Sequence, residues 1–458
     1  MRLSLRMTEE QHKQLRAHLH PGDGKEAAAW LLCGRRRDAE RGILCAREVF
    51  PIAHEATERT RTRVKWKMES LAPLLMAAQE LEAPAIVHLH SHPEGARAFS
   101  RVDDESDRVL HDDLAKIYED GLPHASAIMM PDGELIARTY QAGRFVSLDG
   151  SFVIGHRVQR FPHQESSQAP AHTASHRQAL GRGTTALLGS LRAVVVGCSG
   201  TGSVVVELLS RLGVGELILI DPDVIEERNL NRIVNSTWAD ARAGTPKVEA
   251  LAQTIRHNLG ELAPRIIPIQ GTLADAWGIA ATADVIFGCT DSAEARMHLD
   301  RMCHHYVMPY IDVGVDLSAD EEDGIRYAGL AVQYLRPGGD SLFARKGYRM
   351  SVVEAESLRR TNPALYAERV RIGYIEGVEE DRPAVISINM QAASMAVNEL
   401  LARLHGYRAG APADNAIRRL NLVEEFQMAS TAGPPCPVMA PMCGLGDRRL
   451  PLGLAGLS

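Results

Sequence analysis

The stretch that decides the fold of most of this chain is Ala193-Val-Val-Val-Gly-Cys-Ser-Gly-Thr-Gly202. A short apolar strand runs directly into a glycine loop, and a helix is predicted over 203–212. The glycines, Gly197, Gly200 and Gly202, let backbone N–H groups approach a phosphate, and the N-terminus of the following helix favours negative charge. The stretch therefore predicts a nucleotide site at the end of a buried strand.

Strands and helices alternate after this loop. Further strands are predicted at 216–220, 266–269, 285–287 and 310–313, and a long amphipathic helix is predicted at 390–404. Alternation of this kind indicates a mostly parallel, doubly wound sheet, so the expected fold class of residues 186–458 is α/β and Rossmann-like. The tail after Ala429 is rich in proline and glycine and predicts no regular structure.

The first part of the chain, residues 1–155, mixes short strands with two or three helices and is predicted to be a separate α/β domain. Helices are expected at 8–20, 71–81 and 101–118, and strands at 43–50 and 85–89. Segments 125–130 and 134–140 flank Pro131-Asp132-Gly133 and predict a hairpin. Residues 156–185 carry few apolar side chains, and we interpret them as a linker.

Composition excludes several functional classes. The chain has 458 residues, 45% of them hydrophobic and 24% charged, as expected of an ordinary globular protein. Its net charge of −7 argues against nucleic-acid binding. No stretch reaches the roughly twenty apolar residues that span a bilayer, and no membrane partner is expected. Seven scattered cysteines do not indicate a disulfide framework, so the expected location is a reducing cytoplasm.

A second cluster, His90, His92, Ser100 and Asp103, predicts a metal site. A strand that persists to this point would place both imidazoles on one face. Three protein ligands leave a fourth position on zinc where a water is activated. Two other readings stay open, since a histidine pair is often structural and Ser-x-x-Asp at a helix start is close to a capping box. His88 shares the face but is left out, because three ligands suffice.

Hydrolysis also needs a base that takes a proton from the attacking water. Glu26 is the best candidate, because it precedes the apolar run Ala27–Cys33 that can hold it near the ion. Glu48 and Glu55 are the alternatives.

The pattern His-x-His-x7-Ser-x-x-Asp resembles the JAMM motif of JAB/MPN metalloproteases, which cleave peptide or isopeptide bonds after ubiquitin-like modifiers. The resemblance covers about residues 1–150. It implies that His90, His92 and Asp103 bind zinc, that Ser100 stabilises the oxyanion and that Glu26 is the general base.

The residues after the glycine loop bear on which nucleotide chemistry is expected. The loop spacing is Gly-x-x-Gly-x-Gly rather than the dinucleotide fingerprint, so the loop alone leaves a dehydrogenase open. Asp221 ends the next strand, and Asn229, Arg232, Lys247 and Asp291 follow. Cations and a second carboxylate gathered at phosphates favour nucleotidyl transfer with magnesium over hydride transfer.

These residues resemble the ThiF/MoeB and ubiquitin-activating superfamily, whose members adenylate the C-terminal glycine of a ubiquitin-like protein. The resemblance covers about 175–425. It implies an ATP and magnesium site with these residues: Arg232 and Lys247 at the phosphates, Asp221 at the ribose, Asp223 and Asn229 at the nucleotide, and Asp291 at the magnesium. Arg177 resembles an arginine that reaches into a partner subunit's site, which implies a homodimer.

Cysteines depart from that superfamily. Many relatives carry Cys-x-x-Cys after a Pro-Gly-Gly turn, but Pro337-Gly338-Gly339 is followed here by Asp340 and no cysteine. A second zinc at Cys436 and Cys443 is a weak alternative. Cys303, Cys436 and Cys443 are candidates for a thioester, and the domain is expected to stop at the adenylate.

The sequence predicts a bifunctional enzyme that adenylates the C-terminal glycine of a ubiquitin-like protein and hydrolyses the amide or isopeptide bond at that glycine. A conjugating enzyme is a further expected partner. Three alternatives remain: a ThiS/MoaD-like sulfur-carrier protein as substrate, a dehydrogenase fused to a metallohydrolase, and a catalytically inactive binding module in one of the two domains.

Overall fold

The protein is described by a computed structural model, which covers residues 2–162, 174–320, 324–375 and 383–447. It divides into two compact units. Of the described residues, 2–162, 304–307 and 442–447 belong to the N-terminal unit, and 174–303, 308–320, 324–375 and 383–441 belong to the C-terminal unit.

The N-terminal unit is a mixed α/β layer structure. Its helices are α1 (Glu9–Leu19), α2 (Ala72–Ala78) and α3 (Arg101–Tyr118). Its strands are β1 (Arg2–Thr8), β2 (Ala28–Arg37), β3 (Arg41–Pro51), β4 (Glu58–Arg59), β5 (Val64–Lys65), β6 (Ala85–Ser91), β7 (Ala125–Met129), β8 (Leu135–Gln141), β9 (Arg144–Ser147), β10 (Gly150–Ile154) and β11 (Val158–Pro162).

Nine of these strands form one sheet in the order β11-β10-β1-β3-β2-β6-β7-β8-β9. Side chains alternate along β2, so Leu31 packs with Leu15 of α1 on one face, while Trp30 packs with Leu74 of α2 and Leu110 of α3 on the other. Helices therefore cover both faces, and the centrally placed β2 and β6 are buried throughout nearly their whole length.

Most sequence expectations for this unit are confirmed. The helix predicted over 8–20 spans Glu9–Leu19 and is capped by Thr8. The predicted hairpin is the antiparallel pair β7–β8. The helix predicted over 71–81 is shorter, because a 3₁₀ helix occupies Met68–Leu71 and α2 ends at Ala78.

Regular structure also occurs inside the predicted linker, residues 156–185. Strand β11 pairs antiparallel with β10. Helices α4 (Ala174–Leu180) and α5 (Arg182–Ser190) occupy its second half and continue beyond it. Part of the tail assigned by sequence to residues 186–458 groups instead with the N-terminal unit, where the N–H of Gly34 donates to the carbonyl of Gly444 at 3.1 Å.

The C-terminal unit alternates strands and helices as predicted. Its further helices are α6 (Gly200–Leu212), α7 (Trp238–Ala243), α8 (Lys247–Leu259), α9 (Leu273–Ala280), α10 (Ala293–His305), α11 (Met350–Thr361), α12 (Pro363–Arg371) and α13 (Ile386–His405). Its strands are β12 (Arg192–Val196), β13 (Glu216–Asp221), β14 (Arg265–Gln270), β15 (Val285–Gly288), β16 (Tyr310–Asp320), β17 (Gly324–Leu335), β18 (Ile417–Asn421) and β19 (Phe426–Ser430).

These eight strands form one sheet in the order β14-β13-β12-β15-β16-β17-β18-β19. The first five are parallel, and the last three are antiparallel additions. The doubly wound α/β prediction is confirmed. Helix α6 begins at Gly200, earlier than the predicted Ser203, so Gly200 and Gly202 lie in its first turn.

Candidate functional sites

The candidate metal centre lies where β6 ends. His90 is in the strand and His92 follows it directly, while Ser100 begins α3 and places Asp103 in its first turn. His90 and His92 are buried. One ligand atom from each of His90, His92 and Asp103 lies within 4.8 Å of the others, and this is the one such group found among the described residues.

Both imidazoles present the same nitrogen to this centre. The Nε2 atoms of His90 and His92 are 3.1 Å apart, and they lie 3.3 Å and 3.8 Å from the Asp103 carboxylate oxygens. The Nδ1 of His92 is 2.7 Å from the carbonyl oxygen of Ala96, an acceptor, so Nδ1 carries the proton and Nε2 keeps its lone pair. Two imidazole nitrogens and a carboxylate are a donor set that suits zinc.

Ser100 is the N-cap of α3 and forms a capping box with Asp103, as one of the two alternative interpretations predicted. Its hydroxyl oxygen accepts from the N–H of Asp103 at 3.2 Å, and its own N–H donates to Asp103 Oδ2 at 2.6 Å. The same contacts orient the Asp103 carboxylate beside the imidazoles. The capping role of Ser100 is therefore compatible with a metal site at Asp103. The Ser100 hydroxyl is exposed and still has its hydrogen to donate.

Glu26 reaches the centre through the register of β2 against β6. Ala28 pairs with His90, and the N–H of Ala27 donates to the Ser91 hydroxyl at 2.9 Å, so the register carries Glu26 towards His92. Burial and the negative charge of Asp103 raise the pKa of Glu26 from 4.5 to about 8. In the metal-free protein this carboxyl therefore keeps its proton at neutral pH, and a bound cation, which lowers the pKa of a nearby carboxyl, would make it available as a base.

The alternative bases lie elsewhere on the surface of the unit. Glu48 is exposed on β3, and Glu55 is exposed in the 3₁₀ helix His54–Ala56. The backbone of Glu26, in contrast, is fixed from both sides: its N–H donates to the carbonyl of Thr60 at 2.8 Å, and Arg59 Nε donates to its carbonyl at 2.7 Å.

A buried charge network behind the metal centre was missed by sequence reasoning. Arg138 on β8 donates twice to Asp107, at 2.7 Å and 3.1 Å, and once to Asp104. His88 Nδ1 lies 3.7 Å from the other oxygen of Asp107. The sequence could have predicted part of this network. His88 is two residues before His90 on a strand and Asp107 is four residues after Asp103 on a helix, so each shares a face with a candidate ligand.

The candidate nucleotide site lies at the carboxyl edge of the parallel strands. Strand β12 has β13 on one side and β15 on the other, so the strands that follow it are added first on one side of β12 and then on the other. Ligands of doubly wound sheets bind in the crevice at such a switch point. The loops that flank it are Gly197–Gly200 after β12 and Cys289–Asp291 after β15.

The glycines permit close contact between these loops. A Cβ atom on Gly197, whose φ is +88°, would lie 2.5 Å from the carbonyl oxygen of Cys289. A Cβ atom on Gly202 would lie 1.7 Å from the carbonyl oxygen of Gly197. Ser199 then precedes α6 in the N-cap position, and its side chain makes no capping hydrogen bond. An uncapped helix start beside a glycine loop suits the phosphates of ATP.

The structure brings together three charged residues predicted to bind the nucleotide, Asp221, Asp223 and Lys247. In this structure they contact one another. Asp221 is buried, and its carboxylate accepts from the N–H of Cys198 at 2.7 Å and of Asp223 at 3.0 Å. Burial raises its pKa, although Lys247 opposes this. The Lys247 Nζ lies 2.6 Å from Asp223 and 3.6 Å from Asp221.

The remaining predicted residues surround the same loops. Asn229 is buried, and its Oδ1 accepts from the N–H of Glu226 at 3.0 Å. Arg232 reaches the loop, since a Cβ atom on Gly200 would lie 3.5 Å from its Cδ. Asp291 is exposed on the opposite loop, where its carboxylate oxygens offer the hard ligand that magnesium prefers. The side chain of Arg177, in α4, lies outside what the structure describes.

The candidate thioester cysteines are buried: Cys303 and Cys436 have exposed fractions of 0% and 1%, and Cys443 has 8%. Near the absent Cys-x-x-Cys pair, Asp340 instead accepts two hydrogen bonds from Arg345, at 2.7 Å and 2.8 Å. Asp340 also accepts from the N–H of Gly433 at 2.9 Å, so this hydrogen bond joins the segment that holds the Asp340–Arg345 ion pair to the segment around Gly433.

Fold and sites together define a chain that joins a candidate metal centre to a doubly wound α/β domain with a nucleotide crevice. The ThiF family model matches residues 174–438, more than half of the chain, and the chain belongs to the ThiF family. A model of prokaryotic homologs of the JAB domain matches residues 8–142. The predicted fusion of the two domains is confirmed.

Relatives with assigned names match a smaller stretch. Ubiquitin-like modifier-activating enzyme 5 of Caenorhabditis briggsae is 30% identical over 161 residues, 33% of this chain and 35% of that protein. The Drosophila grimshawi enzyme of the same name is 32% identical over 162 residues, 33% of this chain and 38% of that protein. The match thus spans little more than a third of the length of these relatives.

Among solved structures, E. coli MccB with ATP is 18% identical, with a TM-score of 0.43, and the match covers 61% of this chain and 75% of that chain. E. coli MccB with MccA-N7isoASN is 20% identical, with a TM-score of 0.44 and coverage of 59% and 74%. Among the described helices, none is both long enough and apolar enough to cross a membrane.

Proposed function

We propose that this protein is a bifunctional enzyme that acts on the tail of a ubiquitin-like protein. The C-terminal unit adenylates the carboxylate of the terminal glycine with ATP and magnesium. The N-terminal unit hydrolyses the amide or isopeptide bond that follows the same glycine, with zinc held by His90, His92 and Asp103. The observation that carries the proposal is the convergence of those three ligands, with Glu26 close enough to Asp103 for that charge to raise its pKa, in a chain that belongs to the ThiF family.

In the hydrolytic step, zinc when bound would polarise the water and the scissile carbonyl. Glu26 accepts the proton of the attacking water as the bond from oxygen to the carbonyl carbon forms. The Ser100 hydroxyl donates to the carbonyl oxygen as negative charge develops on it. Glu26 then returns its proton to the leaving nitrogen, the C–N bond breaks, and the products are a free carboxyl and an amine.

In the adenylation step, the glycine carboxylate attacks the α-phosphorus of ATP, and the bond to pyrophosphate breaks. Arg232 and Lys247 neutralise charge on the leaving pyrophosphate, Asp221, Asp223 and Asn229 hold the nucleotide, and Asp291 is the carboxylate ligand for magnesium. The uncapped start of α6 supports this placement of the phosphates. Burial of the three candidate cysteines supports an enzyme that stops at the adenylate.

The expected partners are the ubiquitin-like protein, a conjugating enzyme and a second copy of this chain, into whose site Arg177 would reach. The names of the curated relatives support a ubiquitin-like substrate. A homodimer is supported by the resemblance of the Arg177 segment to that of the superfamily.

Two assays on the purified protein test this function. With a candidate ubiquitin-like protein, the wild type is expected to exchange labelled pyrophosphate into ATP and to cleave a fusion that extends the terminal glycine. His90→Ala is expected to retain exchange and lose bound zinc and cleavage. Absence of zinc together with absence of exchange, across all candidate partners, would refute the proposal. A thiocarboxylate on the recovered tail would identify the sulfur-carrier alternative.

A further inference from the structure

The start of α10 is closed by a side chain from another helix. The first N–H groups of a helix have no partner within it, and in a nucleotide-binding domain they are available to anions. Here the N–H of Ala293 donates to Glu356 Oε1 at 3.1 Å, and the N–H of Glu294 donates to Glu356 Oε2 at 2.9 Å. The Ser292 hydroxyl accepts from the N–H of Ala295 at 3.1 Å.

Glu356 also holds the residue that precedes the helix. The Ser292 hydroxyl donates to Glu356 Oε2 at 2.8 Å. A second contact between the same helices joins Arg360 to Glu294 at 2.8 Å. Helix α11 therefore fixes the start of α10 through three hydrogen bonds of one carboxylate and one ion pair.

These contacts lie directly beside Asp291. The N–H of Ser292 donates to the Thr290 hydroxyl at 3.1 Å, which fixes the turn from within. A Cβ atom on Gly197 would lie 3.0 Å from the Thr290 nitrogen, so the turn also abuts the glycine loop. Asp291 is thus held between the glycine loop on one side and Glu356 on the other, in an exposed turn.

The two helices that begin at the crevice, α6 and α10, differ in what their first N–H groups contact. Helix α6 has no side-chain cap and is open to phosphate. Helix α10 already has a carboxylate on its N–H groups, so its start is closed to phosphate. The Arg296 guanidinium lies close to both Glu356 and Asp291, so the role left to the Glu356 carboxylate is to fix the turn that carries Asp291.

We propose that Glu356 is a positioning residue for magnesium: through Ser292 and the first N–H groups of α10 it fixes Asp291 where the magnesium of MgATP is held. This inference rests on the proposed adenylation function. Partners that orient a metal ligand typically change metal affinity by about tenfold or more when they are removed.

The matched variants are Glu356→Gln and Glu354→Gln, because Glu354 is exposed on the same helix. The equilibrium readout is binding of Mn²⁺, followed by electron paramagnetic resonance, to the full-length protein with a non-hydrolysable ATP analogue. Glu356→Gln is expected to raise the Mn²⁺ dissociation constant about tenfold, with Glu354→Gln unchanged. In pyrophosphate exchange, the half-activating magnesium concentration should rise likewise, and excess magnesium should restore the rate.

Thermal unfolding of each variant shows whether the fold is kept, and Glu356→Asp replaces Glu356→Gln if the latter unfolds. Mn²⁺ affinity equal to that of the wild type in a folded Glu356 variant would overturn the positioning role. An equal loss in Glu354→Gln would do the same, since it would indicate a general charge effect. If exchange is absent with all partners but Mn²⁺ affinity still falls, the adenylation proposal fails and the positioning role of Glu356 stands.

Discussion

The two candidate sites differ in what their polar side chains contact. In the N-terminal unit, Nε2 of His90 and of His92 and the Asp103 carboxylate all face a common centre. In the C-terminal unit, Lys247 contacts Asp223, and Asp221 accepts two backbone N–H groups. The first site directs its donor atoms at one point, as the ligands of a metal ion would be, whereas in the second the charged residues contact each other and the loops.

This difference follows from the elements that carry each site. The candidate metal ligands lie on a buried strand (His90), directly after it (His92) and in the first turn of a capped helix (Asp103), where backbone hydrogen bonds and the cap fix the main chain. The candidate nucleotide residues lie at the ends of elements and on the connections between them, since Asp221 ends β13 and Lys247 begins α8. The proposed role of Lys247 requires it to exchange Asp223 for a phosphate oxygen when ATP binds. We therefore expect little rearrangement at the candidate metal centre and a local exchange of partners at the candidate nucleotide site.

The largest expected effect concerns Lys247. Lys247→Met removes the ammonium group that offsets charge on the leaving pyrophosphate, and we expect the exchange rate to fall about 10²- to 10³-fold. Cleavage of the extended fusion should not change. Arg242→Met is the matched control, because Arg242 is an exposed cation on α7, close in sequence to Lys247. An equal loss in both variants would contradict a specific role for Lys247.

An intermediate effect is expected for Arg138, which holds α3 through Asp104 and Asp107 and lies between two aromatic rings. Arg138→Gln should weaken zinc binding about 10- to 100-fold, because the helix that carries Asp103 loses its anchor. The measurement is competition for zinc with a chelator of known affinity. Arg108→Gln, at an exposed position on the same helix, should bind zinc like the wild type.

The last prediction concerns the stability of the metal-free protein rather than a rate or an affinity. The pKa of Glu26 is raised from 4.5 to about 8 by burial, and further by Asp103. The folded state therefore holds this proton more tightly than the unfolded state. The stabilisation is complete below pH 4.5 and is lost as pH rises towards 8, at about 1.4 kcal/mol per pH unit.

Denaturant unfolding of the chelator-treated protein at a series of pH values measures how the free energy of unfolding depends on pH. Glu26→Gln should remove that component of the slope and stabilise the metal-free protein above pH 8. Identical slopes in wild type and variant would show that Glu26 does not carry the raised pKa.

Much of this molecule was predictable because its signals are local. Strand followed by glycine loop and helix predicts the doubly wound unit, and His90, His92 and Asp103 have a spacing that few other structures require. Glu26 was harder to place, because its position depends on the register of β2 against β6, a contact between segments far apart in the chain.

The residues that sequence reasoning missed have long-range partners. Arg138 acts on α3 from a hairpin, and Glu356 acts on α10 from a helix more than fifty positions later. Neither stands in a motif. The linker predicted over 156–185 contains strand β11 for a related reason. Few residues of β11 are buried, so its sequence does not indicate a strand, but pairing with β10 orders its backbone.

The most direct test of the central claim uses one ubiquitin-like protein in two forms, one ending at the glycine and one extended beyond it. With the extended form, the wild type should show pyrophosphate exchange only after a lag, as the extension is removed, while His90→Ala should show none. Both enzymes should exchange at equal rates with the trimmed form. Equal exchange by His90→Ala and wild type with the extended form would contradict the claim that the two sites act on the same tail.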